Sequence, residues 1–313
     1  MTPKCVIGIG ETVLDILFKN DQPQKAVPGG STFNSIVSLG RAGVPCAMMT
    51  EVGGDHVGDI ICRFLTDNGV SAEYVCRHEK AKSHITLAFL DEHNDAQYLF
   101  YKDHASVRLD GNVPQIGKDD VVLFGSFFAI NPVVRPQVHA FLEYARQHGA
   151  ILYYDVNYRA SHRNDLVKVM PNLLENFELA DILRGSNEDF DVMYGKKDAD
   201  SIYRSEISFY TKKFIYTCGA KPVELRADGG LCKQYPVTPT ETVSTIGAGD
   251  NFNAGFVYGL IHYGVTRSDI DAGLTEQQWD RLIACAQAFS ANCCRSLSNC
   301  IDHDFAASLK NTF

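Results

Sequence analysis

Short apolar runs bounded by turn residues recur along the chain, and longer segments with apolar residues three and four positions apart lie between them. Residues 5–9, 47–51, 121–125, 151–155, 181–183 and 213–218 read as buried strands. Helices are predicted over 32–42, 55–68, 132–147 and 276–295. The third has Asn131 as N-cap, Pro132 at its first position, Val138, Phe141, Leu142 and Ala145 facing inward, and Gly149 as its stop. This alternation predicts an α/β fold, a mostly parallel sheet in three layers with helices on both faces, and ligands at the C-terminal strand ends. One region departs from it. Residues 84–90 and 97–102 are strand-like runs joined by Asp-Glu-His-Asn-Asp, a hairpin with apolar side chains on both faces. Such a hairpin needs cover and reads as part of a β lid.

The composition changes this picture little. With 313 residues the chain can bury a large core, and 21% charged against 45% hydrophobic residues is ordinary for a globular protein. A net charge of −9 without a basic stripe argues against nucleic acid as the main partner. No apolar run reaches membrane-spanning length, so no membrane partner is expected. Ten cysteines without a secretory signal point to reduced thiols and a cytoplasmic location.

The candidate chemistry is concentrated in residues 244–256, STIGAGDNFNAGF. Gly247, Ala248 and Gly249 precede Asp250. Phe252, Phe256, Val257, Leu260 and Ile261 follow at helical spacing, and Gly264 is the stop. The turn therefore sits at a helix N-terminus, with free amides and the positive end of the dipole, which suits a phosphate. The dipole is expected to keep Asp250 ionised. An anion hole beside a carboxylate suits phosphoryl transfer to a hydroxyl, with the carboxylate taking the proton. The alternative is an ordinary acid-capped Gly-rich turn. Gly8-Ile9-Gly10 after a strand hints at a dinucleotide fingerprint, but Val13 occupies the place of the third glycine.

Ser244-Thr245-Ile246-Gly247-Ala248-Gly249-Asp250 resembles the D-T-x-G-A-G-D signature of the PfkB (ribokinase-like) carbohydrate kinases. Pro28-Gly29-Gly30-Ser31-Thr32-Phe33-Asn34, followed by Leu39-Gly40-Arg41-Ala42-Gly43, resembles the family's first signature. There Gly29 and Gly30 would admit a sugar close to the backbone, and Asn34 would bond its hydroxyls; the plainer reading is a turn capped by Ser31 or Thr32. Gly10-Glu11-Thr12-Val13-Leu14-Asp15 looks like the family's opening motif, with Asp15 on sugar hydroxyls. Asp155-Val156-Asn157-Tyr158-Arg159 resembles D-x-N-x-R, with Arg159 on the transferring phosphoryl group and Asn157 orienting it.

The remaining matches depart from the pattern. Ser186-Asn187-Glu188-Asp189 stands where relatives carry N-x-x-E, which makes Glu188 and Asp189 the candidates for organising magnesium through water. Thr217 and Gly219 resemble the nucleotide-contacting turn, although Pro222 replaces an expected glycine, and Asn292 lies where relatives line the adenine pocket. Tyr101-Lys102 resembles the F-Y-R element of fructokinases, with Lys102 keeping the charge without the planar fork, and Ala105-Ser106 stands for Ala-Asp. Ser244 replaces an aspartate that helps bind a monovalent cation, which leaves such a cofactor doubtful.

The resemblance implies a single kinase domain with a β lid built from about 12–28 and 83–105, sugar and ATP as small-molecule ligands, Mg2+ as cofactor, and a homodimer through the lid. It implies an ATP-dependent sugar kinase, with fructose first among acceptors and 2-keto-3-deoxygluconate kinase or ribokinase next. A catalytically silent sugar-binding relative is the reading from another class, and a dinucleotide-dependent oxidoreductase is a third.

Overall fold

The computed structural model describes residues 4–90, 96–103 and 108–312. Its centre is a sheet of ten strands among the described residues, in the order Leu231–Tyr235, Val223–Ala227, Phe214–Thr217, Ile182–Ser186, Ile151–Asp155, Val121–Gly125, Val6–Ile9, Cys46–Gly53 and Val70–Ser71. Val75–His78 also pairs with Cys46–Gly53. Pairing is parallel except along the first three strands of this order, which are joined antiparallel.

The inner strands alternate which face they feed, because successive side chains of a strand point to opposite sides. Val6, Met48, Val121, Leu123, Tyr153 and Ile215 pack with the helices Ser31–Arg41, Ala248–His262 and Glu276–Cys294. Ile7, Ile9, Val122, Phe124, Tyr154 and Phe214 pack with Arg135–Gln147, Leu166–Leu179 and Asn187–Tyr194 on the other side. This is the three-layer α/β arrangement expected from the alternation.

Several boundaries differ from the sequence reading. The helix expected from Pro132 begins at Arg135 with Val134 as N-cap. The Asn131 carbonyl instead closes a turn with the Val134 and Arg135 amides, and the Asn131 side chain accepts from the Val133 amide. The strand expected at 181–183 runs on to Ser186 and so takes in Arg184. The helix after Asp250 is buried on nearly every side instead of showing one apolar face, since Asn251, Asn253, Ala254 and Val257 are all inside. Gly264 takes φ 65° just past its end, as a stop requires.

The hairpin does not stand alone. Ile85–Leu90 pairs parallel with Val13–Lys19 on one side and antiparallel with Ala96–Tyr101 on the other, and Gln22–Gly29 completes a four-stranded sheet. A two-stranded hairpin alone is marginal in water, and pairing into four strands meets the usual requirement for a stable sheet. Its edges lead straight into the site, because Gly29 ends one strand and Ser31 begins a helix. The connector 91–95 and the Ala105-Ser106 pair lie outside the described residues.

Candidate active site

Asp250 sits in the first turn of the helix Ala248–His262, nearly buried. Its carboxylate is gripped by the N-terminal segment: Ser31 Oγ donates to Oδ1 at 2.8 Å and Asn34 Nδ2 donates to Oδ2 at 2.8 Å. Ser35 Oγ donates to its backbone carbonyl at 2.7 Å. The two segments that carry the strongest sequence matches, more than 200 residues apart, therefore form one constellation. Burial is the dominant influence on Asp250 and pushes its carboxyl above the ordinary range. The Asn34 and Ser31 bonds pull it back, the charge of Asp155 adds to the rise, and that of Arg159 opposes it. Burial thus opposes the helix dipole, which the sequence alone expects to keep Asp250 ionised.

The turn ahead of Asp250 needs its glycines. Gly247 is the N-cap at φ 80°, and a Cβ there would meet the Asn299 carbonyl oxygen at 2.7 Å. A Cβ on Gly249 would lie 3.0 Å from Arg184 Nη2. The Ala248 amide is turned onto the Thr245 carbonyl at 3.2 Å, so it is not presented to an anion as expected. Gly247 and Gly249 carry the remaining amides of the turn. Asn299 also accepts from Asn251 Nδ2 at 2.8 Å, which ties its loop over the turn.

Arg184 was missed by the sequence reading, and its signal was a lone cation in an otherwise apolar strand. It is buried, donates to Asp155 Oδ1 at 2.9 Å and to Thr217 Oγ1 at 2.7 Å. Burial works against its charge, but Asp155 and Asp189 hold it above the ordinary value. Asn253 Nδ2 donates to Asp155 Oδ2 and Tyr153 donates to Asn253, which completes a polar chain under the turn.

Arg159 lies at the same end but is 62% exposed, within 3.9 Å of Glu188, itself 75% exposed. Asn157, at φ 38°, donates to Ser126 Oγ at 2.6 Å, and Ser126 is also at positive φ. Two such residues at neighbouring strand ends are a costly local arrangement of the kind that clusters at functional sites.

On the sugar side, Gly30 rather than Ser31 or Thr32 is the N-cap, with φ 135°, and no side chain caps the helix. A Cβ on Gly30 would meet the Glu11 carbonyl at 2.3 Å. Asp15 faces Gly29, where a Cβ would stand 2.7 Å from its Oδ2, and burial pushes its carboxyl up to about 6. Asn34 keeps an unpartnered, buried side-chain oxygen. Lys102 is committed to Glu11, donating at 2.7 and 2.9 Å. Burial alone would raise Glu11, but hydrogen bonds from His84 and Lys102 outweigh it and bring the carboxyl down to about 2.

The comparisons with known proteins decide the family. A family model described as pfkB family carbohydrate kinase matches residues 9–303. The chain belongs to this family. It is 29% identical over 252 residues to a 5-dehydro-2-deoxygluconokinase of Geobacillus kaustophilus, covering 75% of this chain and 72% of that one. It is 27% identical over 267 residues to a fructokinase of Rhizobium leguminosarum bv. trifolii, covering 82% and 79%. Its fold is similar to that of aminoimidazole riboside kinase from Salmonella enterica, solved with aminoimidazole riboside and an ATP analog, at TM-score 0.82 and 20% identity over 97% of this chain and 99% of that one. The chain is thus a carbohydrate kinase with a ribokinase-like fold.

Within this kinase the residues assigned to nucleotide and metal are placed less directly. Thr217 is buried and accepts from Arg184, and Gly219 follows at φ 55°. Both ends of the Asn292 amide are used on Asp302: Nδ2 donates to its side chain at 2.7 Å, and Oδ1 accepts from its backbone at 3.0 Å. Asp189 Oδ2 accepts from the Ser186 amide and hydroxyl in a capping box, so that oxygen is occupied by the helix start. Glu188 extends into solvent beside Arg159. Ser244 Oγ accepts from the Ile246 amide at 3.2 Å. Among the described residues no helix is long and apolar enough to cross a membrane, and all ten cysteines are free.

Proposed function

We propose that this carbohydrate kinase transfers the γ-phosphate of Mg·ATP to a primary hydroxyl of its sugar, with Asp250 as the general base. One observation carries the reading. A carboxylate held from both sides by Ser31 and Asn34 opens the helix whose first amides follow a glycine turn. Burial that raises the Asp250 carboxyl strengthens its ionised form as a base. The hydroxyl proton passes to Asp250 as the oxygen attacks phosphorus, and the bond to the departing ADP oxygen breaks. The amides of Gly247 and Gly249 face the charge that develops on the transferred group. Arg159 has the reach and exposure to close onto that group, while Arg184 steadies the turn from below.

Asp15, Gly29, Gly30 and Asn34 line the sugar side, with Lys102 held at the rim by Glu11. Thr217, Gly219 and Asn292 serve the nucleotide side. Glu188 would hold magnesium through water, supplying charge neutralisation for the nucleotide phosphates, better than Asp189, whose Oδ2 is engaged by the cap. The four-stranded sheet is the lid, and the exposed Leu99 and Tyr101 on one face of its edge strand, with exposed Phe100 on the other, support a homodimer through that strand.

Fructose stays the first acceptor on the fructokinase-like motifs. The similarity to 5-dehydro-2-deoxygluconokinases favours a second, 5-dehydro-2-deoxygluconate, whose carboxylate needs a cation at the rim such as Lys102. ADP release from Mg·ATP with fructose, 5-dehydro-2-deoxygluconate, 2-keto-3-deoxygluconate and ribose decides among them. Asp250→Asn is expected to lower turnover about a hundred- to ten-thousand-fold on the accepted sugar. A loss below threefold sinks the general-base role. Sugar binding without turnover on any acceptor supports a silent relative instead.

A further inference from the structure

Outside the residues assigned to the kinase centre, the strand Val75–His78 carries Cys76 and His78 two positions apart, so both side chains leave the same face. Their neighbour in register is Glu51 of Cys46–Gly53, the Cα partner of Cys76. Glu51 is paired with Arg108 and accepts from the Leu109 amide at 3.2 Å, which pins the following residue, Asp110, over this face. Leu109 itself takes φ 48°, a left-handed conformation that a branched side chain adopts only when its surroundings force it.

The result is a compact donor set. Cys76 Sγ is 2.9 Å from Asp110 Oδ1 and 3.6 Å from His78 Nε2, and the three ligand atoms lie within 4.8 Å of one another. Zinc bonded to sulfur and nitrogen at its usual lengths in a tetrahedron separates its ligand atoms by roughly 3.3–3.7 Å, so small side-chain adjustments suffice. Cys76 and His78 are mostly buried, and Asp110 is half exposed and leaves an entry from solvent.

We propose that Cys76, His78 and Asp110 form a binding site for a borderline-soft divalent metal such as Zn2+, distinct from the kinase centre, with water in the fourth position. Charge favours this over a hard ion. Thiolate and carboxylate neutralise the two positive charges, Glu51 is already balanced by Arg108, and sulfur with imidazole disfavours Mg2+. On binding, the thiol proton that now points to Asp110 leaves to solvent, and the S–H bond is replaced by a metal–sulfur bond. His78 gives up its contact with Glu51 Oε2 (3.3 Å), whose bonds to Arg108 and Leu109 remain.

The test is titration of the chelator-washed full chain with Co2+ alone, followed by absorption. The expected result is one equivalent with a thiolate-to-cobalt charge-transfer band and the intense visible bands of tetrahedral cobalt, both displaced by Zn2+ and unaffected by excess Mg2+. Cys76→Ser is expected to abolish the charge-transfer band and weaken binding at least about 100-fold, more than loss of an outer-sphere partner costs. Asp110→Asn, at an exposed position that leaves the fold alone, is expected to keep the band and weaken binding about tenfold or more. Cys232→Ser, at an exposed cysteine elsewhere, is expected to change neither. Absence of the charge-transfer band in the unaltered protein, or its survival in Cys76→Ser, overturns the proposal. So does a weak six-coordinate spectrum.

Discussion

Asp250 and its two arginine neighbours illustrate how burial divides roles among single residues. In the proposed base role, Asp250, whose carboxyl is pushed above the ordinary range, loses activity as pH falls through that raised value, since only the ionised form accepts the proton. The acid limb of kcat/KM is therefore expected above the ordinary aspartate value of about 3.9. Asn34→Ala removes a bond that favours the charged form, so it moves the limb to still higher pH; a pH–rate profile of both proteins checks the direction. Arg159 and Arg184 should separate cleanly. Arg159→Ala takes away an exposed cation, and its expected signature is a kcat loss of tenfold or more with Tm unchanged. Arg184→Ala strands Asp155 inside the protein, which costs about 3–5 kcal/mol as broken buried pairs do, and thermal melting should register it. Equal Tm for the two variants would remove the distinction.

Between elements, the helix Ala248–His262 presses against Glu276–Cys294 through Gly255. A Cβ there would meet the Cys285 carbonyl oxygen at 2.4 Å and the Ala286 Cα at 2.8 Å. Two effects compete in Gly255→Ala. Helix propensity gains up to about 1 kcal/mol, whereas overpacking typically costs about 1–3 kcal/mol. The obstructing atoms are backbone and cannot swing aside, so the packing term wins and a lower Tm is expected by calorimetry. Because this helix also carries Asp250, a shift of its axis should reduce turnover beyond what the lost stability explains. An increase in Tm would show that the pair of helices can separate freely.

At the scale of the whole molecule, the four-stranded sheet lies off the central one and presents Phe100, 56% exposed, with Leu99 and Tyr101 beside it. Apolar side chains grouped on one strand of a small sheet favour a second copy as cover. Phe100→Glu is expected to shift a dimer to monomer in sedimentation velocity while leaving the fold intact by circular dichroism, since the side chain is exposed. A wild-type monomer at all concentrations would exclude the lid-to-lid dimer.

How far the sequence reached follows the range of the forces involved. Hydrophobic periodicity is local, so the inner parallel strands and the helices at 31–41, 56–67, 135–147, 248–262 and 276–294 were legible, as were the glycine turn, Asp250 and the Gly29-Gly30…Asn34 segment; the helices Leu166–Leu179 and Asn187–Tyr194 and the antiparallel strands Val223–Ala227 and Leu231–Tyr235 were not. Periodicity could not reveal that Ser31 and Asn34 close on Asp250, since that contact joins segments more than 200 residues apart and depends on which helices share a face of the sheet. Nor could it show the burial that lifts the Asp250 carboxyl above its ordinary range, the turning of the Ala248 amide onto Thr245, or the use of Asp189 as a cap. Arg184 escaped notice because a cation inside a parallel strand makes sense only once Asp155 and Thr217 stand on the strands to either side. The sequence by itself thus determined the inner elements, the layer architecture and the type of chemistry. The tertiary structure decided which side chains meet, and hence which are charged, which are spent on holding the fold, and which remain free to act.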